Sequence, residues 1–372
     1  MLNVLIVARY HNSTQSQKLE LLSKQSGLRA HLVYPRAWQS ELAVKRTTDF
    51  GAVSATPITM LGKPNDPHRA MYKSLSFMIN RFHPDIIHAE EEPDSIPALQ
   101  IAIARRIFAP RAKLLFTTWQ NINRPMKSYV RLVMQMALAA SDGVCCANFE
   151  AMSILKENGY NKPTYLLLPT GVDTSLFTPP AHSDAQTMFI IGYVGRLVPE
   201  KGIDLLIEAI RELQESPANR PVTLLIMGDG TERNRLKQLV IDAHLEGVIE
   251  FLDAGSPQQV ASFMQRLDVL VLPSRTTPVW KEQFGRVLVE AMASKVVVLG
   301  ARSGAIPEVI ADAGLLFDEG SSTQLATQLR RLIASPALQA DLSERGYARV
   351  MEHYTQERIV EQTVTLYRRV TS

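Results

Sequence analysis

The sequence has 372 residues, of which 46% are hydrophobic, and it carries 40 basic against 37 acidic side chains. This length suggests two domains, and the composition is that of a globular protein, neither disordered nor fibrous. The apolar runs are much shorter than the ~20 residues of a bilayer-spanning helix. The N-terminus begins on a predicted strand without the features of a signal peptide, so we expect a cytoplasmic protein.

Basic charge is concentrated in the first half of the chain. Residues 1–178 carry 20 Lys and Arg against 13 Asp and Glu. Such a half could hold an anionic acceptor or lie against acidic lipid. Solvated surface cations explain this kind of bias more often, so both interpretations stay open.

Short β-rich runs alternate with helical patterns along the whole chain, which predicts βαβ units and parallel sheets, an α/β fold. In the first half we predict strands over residues 4–8, 31–34, 86–89, 113–118, 143–147 and 165–168. In the second half we predict strands over residues 189–194, 222–227, 249–252, 269–272, 296–299 and 314–317.

A stretch rich in Pro and Gly, from Pro169 to Pro180, separates the two series of strands. Because these residues break helices and strands, we place the boundary here and predict domains 1–178 and 179–372. Residues 336–370 have a helical pattern that Gly346 could interrupt, with Ser335 and Pro336 suited to a helix start. This segment is long enough to return to the first domain.

The strongest phosphate signal follows the strand 189–194. Gly195 allows the backbone to approach a ligand, and Arg196 and Lys201 supply two cations beside a helix start. In open parallel sheets ligands bind beyond the carboxyl ends of the strands, so two such domains imply a cleft between them. The alternative is a glycine-framed turn whose basic residues face solvent.

A second turn, at the end of strand 222–227, holds Asp229 between Gly228 and Gly230. Asp229 or Thr231 could simply cap the next helix, because such N-caps are common. The glycines could still shape a nucleotide pocket.

Two glutamates flank a predicted helix start at Gly285. Glu282 lies in the preceding loop, where it could meet a bound sugar, and amides near Gly285 could point at a phosphate. Glu290 could accept hydrogen bonds from a ribose diol. The alternative is a surface ion pair between Arg286 and Glu290, four positions apart.

Together these segments resemble glycosyltransferase family 4, the glycosyl transferases group 1, which are retaining enzymes of GT-B fold. The similarity is strongest from Gly192 to Phe317 and rests on the ordered motifs Gly195-Arg196, Glu200-Lys201-Gly202, Gly228-Asp229-Gly230 and the pair Glu282 and Glu290. It implies two Rossmann-like domains facing each other across a cleft, an acceptor-binding one first and a donor-binding one second, with the last helix crossing back to the first.

The resemblance also implies site roles. Arg196 and Lys201 would bind the donor diphosphate, Glu282 the transferred sugar and Glu290 the ribose. The residues 251–256 resemble the family's base-binding loop, although Asp253 stands where glycine is usual. The implied donor-binding set is Gly195, Arg196, Lys201, Gly228, Leu252, Glu282, Phe284, Gly285, Arg286, Val287 and Glu290.

The first half departs from the family pattern in two places. The loop after the first strand has no Gly-Gly pair and reads Ala8 to Ser13, and no histidine follows the strand 113–118. Gln120 and Asn121 follow that strand instead and could contact sugar, while Asn121 suits a turn equally well.

Further acceptor-side candidates follow the strand 86–89. His88 lies at the end of this strand, where a functional role is slightly favoured over that of a satisfied core histidine. Glu91 and Glu92 could bind acceptor hydroxyls, or they could complement the dipole of the next helix.

The expected reaction is the transfer of a hexose-type sugar from a nucleoside-diphosphate sugar to a saccharide, lipid-linked or small-molecule acceptor. No Asp-x-Asp motif occurs in the sequence, so we predict a metal-independent enzyme without a cofactor. Two alternatives stay open: a GT-B-like nucleotide-sugar epimerase, and a non-catalytic sugar- or nucleotide-binding protein. No nucleic-acid partner is expected.

The helical pattern over residues 126–139 combines Lys127 and Arg131 with several large apolar side chains. Such a helix could rest on the inner face of a membrane, giving the protein a peripheral location. Packing inside the first domain is the simpler alternative.

Overall fold

The structure is a computed structural model that describes residues 1–10, 13–39, 44–46, 54–63, 66–180, 187–215 and 220–372. They form two compact units. Unit 1 consists of residues 1–171 with 356–372, and unit 2 consists of residues 172–355. Within these described ranges, no helix is both long and apolar enough to cross a membrane.

Unit 1 contains a parallel sheet with helices on both faces. Its elements are β1 (Leu2–Ala8), α1 (Ser13–Ser23), β2 (Leu28–Pro35), β3 (Ala37–Gln39), β4 (Val44–Arg46), β5 (Ala55–Ile58), β6 (Met60–Gly62), β7 (Ala70–Tyr72), α2 (Leu75–Phe82), β8 (Ile86–Glu90), α3 (Ile96–Phe108), β9 (Lys113–Thr118), α4 (Ser128–Ala140), β10 (Gly143–Cys146), α5 (Phe149–Glu157) and β11 (Thr164–Leu166). The seven-stranded sheet has the order β11-β10-β9-β8-β1-β2-β5, and β3–β4 and β6–β7 form antiparallel pairs.

Unit 2 contains a second parallel sheet. Its elements are β12 (Phe189–Val194), α6 (Ile203–Glu215), β13 (Val222–Met227), α7 (Arg233–Asp242), β14 (Ile249–Leu252), α8 (Pro257–Met264), β15 (Val269–Leu272), α9 (Arg286–Ala293), β16 (Val297–Ala301), α10 (Ile306–Ile310), β17 (Leu315–Phe317), α11 (Ser322–Ala334) and α12 (Pro336–His353). The order is β14-β13-β12-β15-β16-β17. The predicted α/β class with two parallel-sheet units is confirmed.

The strand β1 shows why the sheet of unit 1 is covered on both faces. Successive side chains of a strand point to opposite faces. Leu5 and Val7 pack in the core cluster that contains residues of α2, α3, α4 and α5. Val4 and Ile6 pack in the other cluster, with residues of α1 and of the last helix. A continuous apolar strand is therefore what this position requires.

The C-terminal segment divides at residues 354–355, not at Gly346. Ser335 caps α12 by accepting from the Leu338 amide, with Pro336 in the first turn, as predicted. The prediction of a break at Gly346 is wrong, because this glycine lies inside α12 and a Cβ there would be 3.0 Å from Met292 Cγ. Its role is to allow close packing. The following helix, α13 (Gln356–Thr371), belongs to unit 1.

The strand order places the candidate sites. In each sheet the direction of strand addition reverses once, between β1 and β8 in unit 1 and between β12 and β15 in unit 2. Loops that leave neighbouring strands in opposite directions open a crevice at the carboxyl edge, where ligands bind in such folds. The segments to examine are therefore those that follow β1 and β8, and those that follow β12 and β15.

Candidate active site

The crevice of unit 2 contains a buried ion pair. The Lys201 Nζ lies 2.6 Å from Glu282 Oε2, and both side chains are mostly shielded, at 14% and 11% exposure. Ser274, which is fully buried just after β15, donates its Oγ hydrogen to the same Glu282 oxygen at 3.0 Å. Two donors thus fix one carboxylate oxygen from the two sides of the strand-order reversal.

The Lys201 ammonium has a second neighbour. It lies 4.7 Å from the ring centroid of Trp280, within the range of a cation–π contact. The charge is therefore held between a carboxylate and an indole face. This arrangement limits the rotamers available to a long and otherwise flexible side chain.

The Glu282 backbone is fixed by the loop that follows β16. The Ala305 amide donates to the Glu282 carbonyl at 2.9 Å. Gly304 adopts a left-handed φ of 52°, and a Cβ at this position would lie 2.1 Å from the Glu282 carbonyl oxygen. Only glycine allows this contact without displacement. The loop after β16 thus fixes the Glu282 backbone.

Glycines also bring the loops after β12 and β13 together. The Gly195 amide donates to Met227 O at 3.0 Å, and a Cβ on Gly228 would lie 1.9 Å from Gly195 O. Tyr193, which is buried, donates its hydroxyl to Arg196 O at 2.8 Å. The turn that carries Arg196 is therefore rigid, while its guanidinium is 42% exposed and 3.8 Å from Glu200.

Asp229 does not cap the following helix. It accepts from the Gly230 amide next to it, and α7 begins only at Arg233, without a side-chain cap. The prediction of a cap by Asp229 or Thr231 is wrong, because a short turn separates the glycine turn from the helix. The side chain of Arg233 instead donates to Gly228 O.

The second predicted glutamate lies in α9. This helix begins after Gly285, whose φ is 78°, as the sequence predicts. Glu290 is buried and accepts from Arg286 Nε at 2.9 Å, so the ion pair considered from the sequence is present. Burial raises the pKa of Glu290, and Arg286 opposes this rise. The carboxylate is thus already oriented by a cation at the start of the helix.

A pocket of about 470 Å³ opens beside the carboxyl end of β14. Its lining combines Leu252, Asp253 and the loop to Gly255 with polar and apolar residues of α8. Asp253 is exposed and pairs with Arg233 at 2.8 Å. This pocket contains the segment that resembles a base-binding loop, and its mixed lining suits a flat heterocycle with polar edges.

In unit 1, two neighbouring glutamates at the carboxyl end of β8 are held by cations and tyrosines. Glu90 accepts from the fully buried Lys18 at 2.6 Å and from Tyr10 at 2.8 Å. Glu91 accepts from Arg9 Nε at 2.9 Å and from Tyr72 at 2.5 Å. Glu91 therefore connects the end of β8 to Arg9 and Tyr72. Its contact with acceptor hydroxyls stays a prediction.

Glu92 fixes the loop after β9. Its Oε2 accepts from Thr118 Oγ1 at 2.6 Å and its Oε1 accepts from the Trp119 amide at 2.7 Å. Burial raises the pKa of Glu92 to about 7 against these hydrogen bonds. Gln120 donates to Ile122 O, and Asn121 is buried. Glu92 therefore positions this loop, and its contact with acceptor hydroxyls stays a prediction.

His88 is a core residue. It is 1% exposed, with Nδ1 2.8 Å from the Tyr367 hydroxyl and Nε2 3.1 Å from Thr117 Oγ1. Burial lowers its pKa to about 3, with a smaller contribution from Lys18. The functional prediction for His88 therefore gives way to the satisfied core histidine. Of the loop after β1, His11 and Asn12 lie outside the described residues.

Comparison with known proteins identifies a family match in the second half of the chain. The family Glycosyl transferases group 1 matches residues 178–349, which lie in unit 2. The second half of the chain therefore matches the glycosyl transferases group 1. An uncharacterized glycosyltransferase of Methanocaldococcus jannaschii is 30% identical over 218 residues, which are 58% of this chain and 56% of that protein.

Two further similarities are informative. A GDP-mannose-dependent monoacylated alpha-(1-6)-phosphatidylinositol monomannoside mannosyltransferase of Corynebacterium glutamicum is 32% identical over 209 residues, 52% of this chain and 54% of that protein. The crystal structure of Anabaena HepE in complex with UDP superimposes with a TM-score of 0.72 at 19% identity, covering 99% of this chain and 100% of that one. It shows a common GT-B fold. The chain spans little more than half the length of the M. jannaschii and C. glutamicum relatives.

The sequence did not indicate several residues of this candidate site. Ser274 directly follows Pro273 at the strand-order reversal, and this position was the available signal. Trp280 and Gly304 had no signal beyond their nearness in sequence to Glu282 or to a turn. Their importance depends on contacts between loops that are far apart in the chain.

Proposed function

We infer that the chain is a retaining glycosyltransferase that moves a hexose-type sugar from a nucleoside-diphosphate sugar to an acceptor hydroxyl. The supporting observation is the ion pair of Lys201 with Glu282, held by Ser274 in the crevice of unit 2. In this proposal Arg196 and Lys201 bind the diphosphate, Glu282 binds the sugar hydroxyls and Glu290 binds the ribose.

The proposed catalysis is electrostatic. As the bond between sugar and phosphate lengthens, negative charge grows on the leaving diphosphate and positive charge on the sugar ring. Fixed cations stabilise the diphosphate without reorganisation, and the positive end of the α9 dipole beyond Gly285 adds to them. Lys201 is already fixed by Glu282 and Trp280, which supports this role.

We assign no metal and no cofactor to the reaction. The sequence lacks an Asp-x-Asp motif, and Arg196 and Lys201 supply the positive charge that a metal ion would otherwise bring. In this proposal the acceptor hydroxyl attacks on the face that the diphosphate leaves, so the anomeric configuration is retained. A phosphate oxygen of the leaving group takes the proton of that hydroxyl. No protein base is required.

The pocket beside β14 would take the nucleobase. HepE, a protein of the same fold, binds UDP, and the mannosyltransferase of C. glutamicum depends by name on GDP-mannose and acts on a phosphatidylinositol monomannoside. These names support a nucleotide-sugar donor and include a lipid among the candidate acceptors, beside saccharides and small molecules. We assign the protein to the cytoplasm, peripheral to the inner face of the membrane.

A thermal-shift screen with UDP, GDP and ADP and their sugars tests the donor site. A ligand at one hundred times its Kd stabilises the folded state by about 2.7 kcal/mol, a measurable shift. With the donor found, Glu282→Ala should abolish transfer. The unpaired Lys201 charge should also lower the melting temperature, so circular dichroism is needed to show that the variant is folded. Unchanged turnover would contradict the site assignment.

The reaction products separate the alternatives. NMR of the purified product should show the anomeric configuration of the donor, and an inverted linkage would overturn retention. Conversion of the donor without any acceptor would instead indicate an epimerase. Donor binding without turnover under any acceptor would indicate a binding protein.

A further inference from the structure

Two neighbouring helices of unit 1 expose large apolar side chains. Helices α3 and α4 both pack on the same side of the sheet, with Ile101 and Ala137 among their buried residues. Their outer sides carry six large apolar residues that are 39% to 64% exposed. These six define the α3–α4 face: Ile103, Ile107, Phe108, Tyr129, Leu132 and Met136.

The spacing shows that each helix exposes a stripe. Ile103 and Ile107 are four positions apart on α3, and Leu132 and Met136 are four apart on α4. Residues at this spacing lie on one side of a helix. The inner side of α4 is also apolar, through Val130 and Val133. Packing inside unit 1, the simpler alternative from the sequence, therefore explains one side of α4 but not the other.

The same segment is devoid of negative charge. Residues 95–141 contain no Asp or Glu, and this is the longest acid-free stretch of the sequence. It contains seven basic residues: Arg105, Arg106, Arg111, Lys113, Arg124, Lys127 and Arg131. Among these, Arg106, Lys127 and Arg131 are exposed on or next to the two helices. Cations thus accompany the apolar stripes without compensating acids on either helix.

The acids that border this segment are already paired. Asp94 is buried and lies 3.2 Å from Arg124, and Asp142 lies 3.1 Å from Arg105 and 3.7 Å from Lys113. Their charges are offset by the nearest cations. Arg106, Lys127 and Arg131 therefore give the α3–α4 face a positive potential.

We propose that the α3–α4 face docks on the surface of a bilayer that contains acidic phospholipids. Lys and Arg extend to the headgroups while aliphatic and aromatic side chains enter the acyl boundary, which is the chemistry of an interfacial helix. A second copy of the same face would bring like charges together. A nucleic acid offers phosphates, but it offers no apolar phase for six such side chains.

This docking is independent of the donor chemistry. It requires neither a particular nucleotide nor a particular sugar. It would keep unit 1 at the surface where a lipid-linked acceptor is found, and so would raise the local concentration of that acceptor. Loss of donor binding would therefore leave docking unchanged, and loss of docking would leave donor binding unchanged.

Flotation of the full chain with vesicles tests the proposal. Vesicles of phosphatidylcholine with one quarter phosphatidylglycerol should carry the protein to the top of the gradient, and pure phosphatidylcholine vesicles should not. Raising the salt to about 0.5 M should weaken binding, since screening shortens the range of the surface potential. Failure to float with the acidic vesicles overturns the proposal.

Matched variants locate the surface. Leu132→Ser and Met136→Ser together should weaken binding at least tenfold, because apolar area no longer leaves water. Each of Lys127→Gln and Arg131→Gln should weaken it about fivefold. Ile241→Ser and Lys237→Gln on α7 of unit 2 remove an equally exposed apolar residue and an exposed cation. These two controls should not change binding.

Two further outcomes also decide the matter. If the α4 variants and the α7 controls bind acidic vesicles equally, another surface binds lipid and the proposal is wrong. If light scattering shows a dimer that Leu132→Ser dissociates, and the wild type does not float, the face is a contact between copies. Circular dichroism of each variant verifies that it is folded.

Discussion

Lys201 and Glu282, 81 positions apart in the sequence, form a 2.6 Å ion pair at the point where the strand order of unit 2 reverses. The pair joins the loop after β12 to the loop that precedes α9. Removal of one member would leave the other charge buried and uncompensated. The residues that hold Glu282 in place can be substituted one at a time.

Ser274→Ala removes one donor to Glu282 without changing the ion pair. We expect turnover to fall about tenfold while stability falls by only ~1 kcal/mol, since a single hydrogen bond is lost. Steady-state kinetics and thermal unfolding measure the two effects. Ser153→Ala removes a similar hydroxyl contact on the exposed surface of α5 and should change neither quantity. Equal losses in both variants would refute a role for Ser274 in positioning Glu282.

Gly304→Ala should displace the Glu282 backbone. The added methyl would lie 2.1 Å from the Glu282 carbonyl oxygen, whereas a Cβ on Gly320 meets nothing within 4 Å. Both glycines have a left-handed φ, of 52° and 82°. Gly320→Ala therefore measures the backbone strain alone, about 1 kcal/mol. We expect Gly304→Ala to cost roughly 3 kcal/mol and to abolish transfer. An active Gly304→Ala enzyme would show that the contact is dispensable.

Glu92→Gln should change how stability depends on pH. The folded pKa of Glu92 is raised to about 7, first by burial, so the folded state favours the protonated form. This contribution is complete below the unfolded pKa of about 4.5 and is lost as the pH rises through 7. Relative to the wild type, the glutamine variant should gain about 3 kcal/mol between pH 4.5 and 8. Urea unfolding at both pH values measures this gain, and a constant difference would refute it.

His88→Gln should act in the opposite direction. Burial lowers the folded pKa of His88 to about 3, so the neutral form stabilises unit 1 above the unfolded pKa of about 6.5. That contribution is lost as the pH falls below 6.5 toward 3. The variant should be less stable at pH 7.5, yet lose less stability than the wild type between pH 7 and 5. Parallel urea midpoints for both proteins across this range would argue against it.

The sequence predicts the main strands well, because fully buried parallel strands are continuous apolar runs between turns. Five of the twelve predicted strands, among them β9 and β12, have the observed bounds, and the other seven overlap observed strands. The strands from β3 to β7 are missed because none of them is a continuous run of large apolar residues. The helix predicted over residues 126–139 is observed as α4, from Ser128 to Ala140, and α9 begins after Gly285 as predicted.

The sites are less predictable than the strands. The sequence predicts that His88 lies near the end of a strand. It does not predict that Tyr367 of α13 forms a hydrogen bond with His88. It likewise identifies Glu91 and Glu92 as acids near a carboxyl edge, but not the partners that occupy them. Glu282, Lys201 and Ser274 lie in separate loops, so their meeting depends on the order of the strands, which periodicity does not reveal.

The placement of α13 has a consequence for biosynthesis. The ribosome makes β1 well before α13, yet Val360 and Val364 of α13 pack with Val4 and Ile6 in one core cluster. In the sequence, unit 2 is one continuous segment between the two parts of unit 1. Unit 1 therefore cannot close its core until α13 has been synthesised, and by then every residue of unit 2 has been added to the chain.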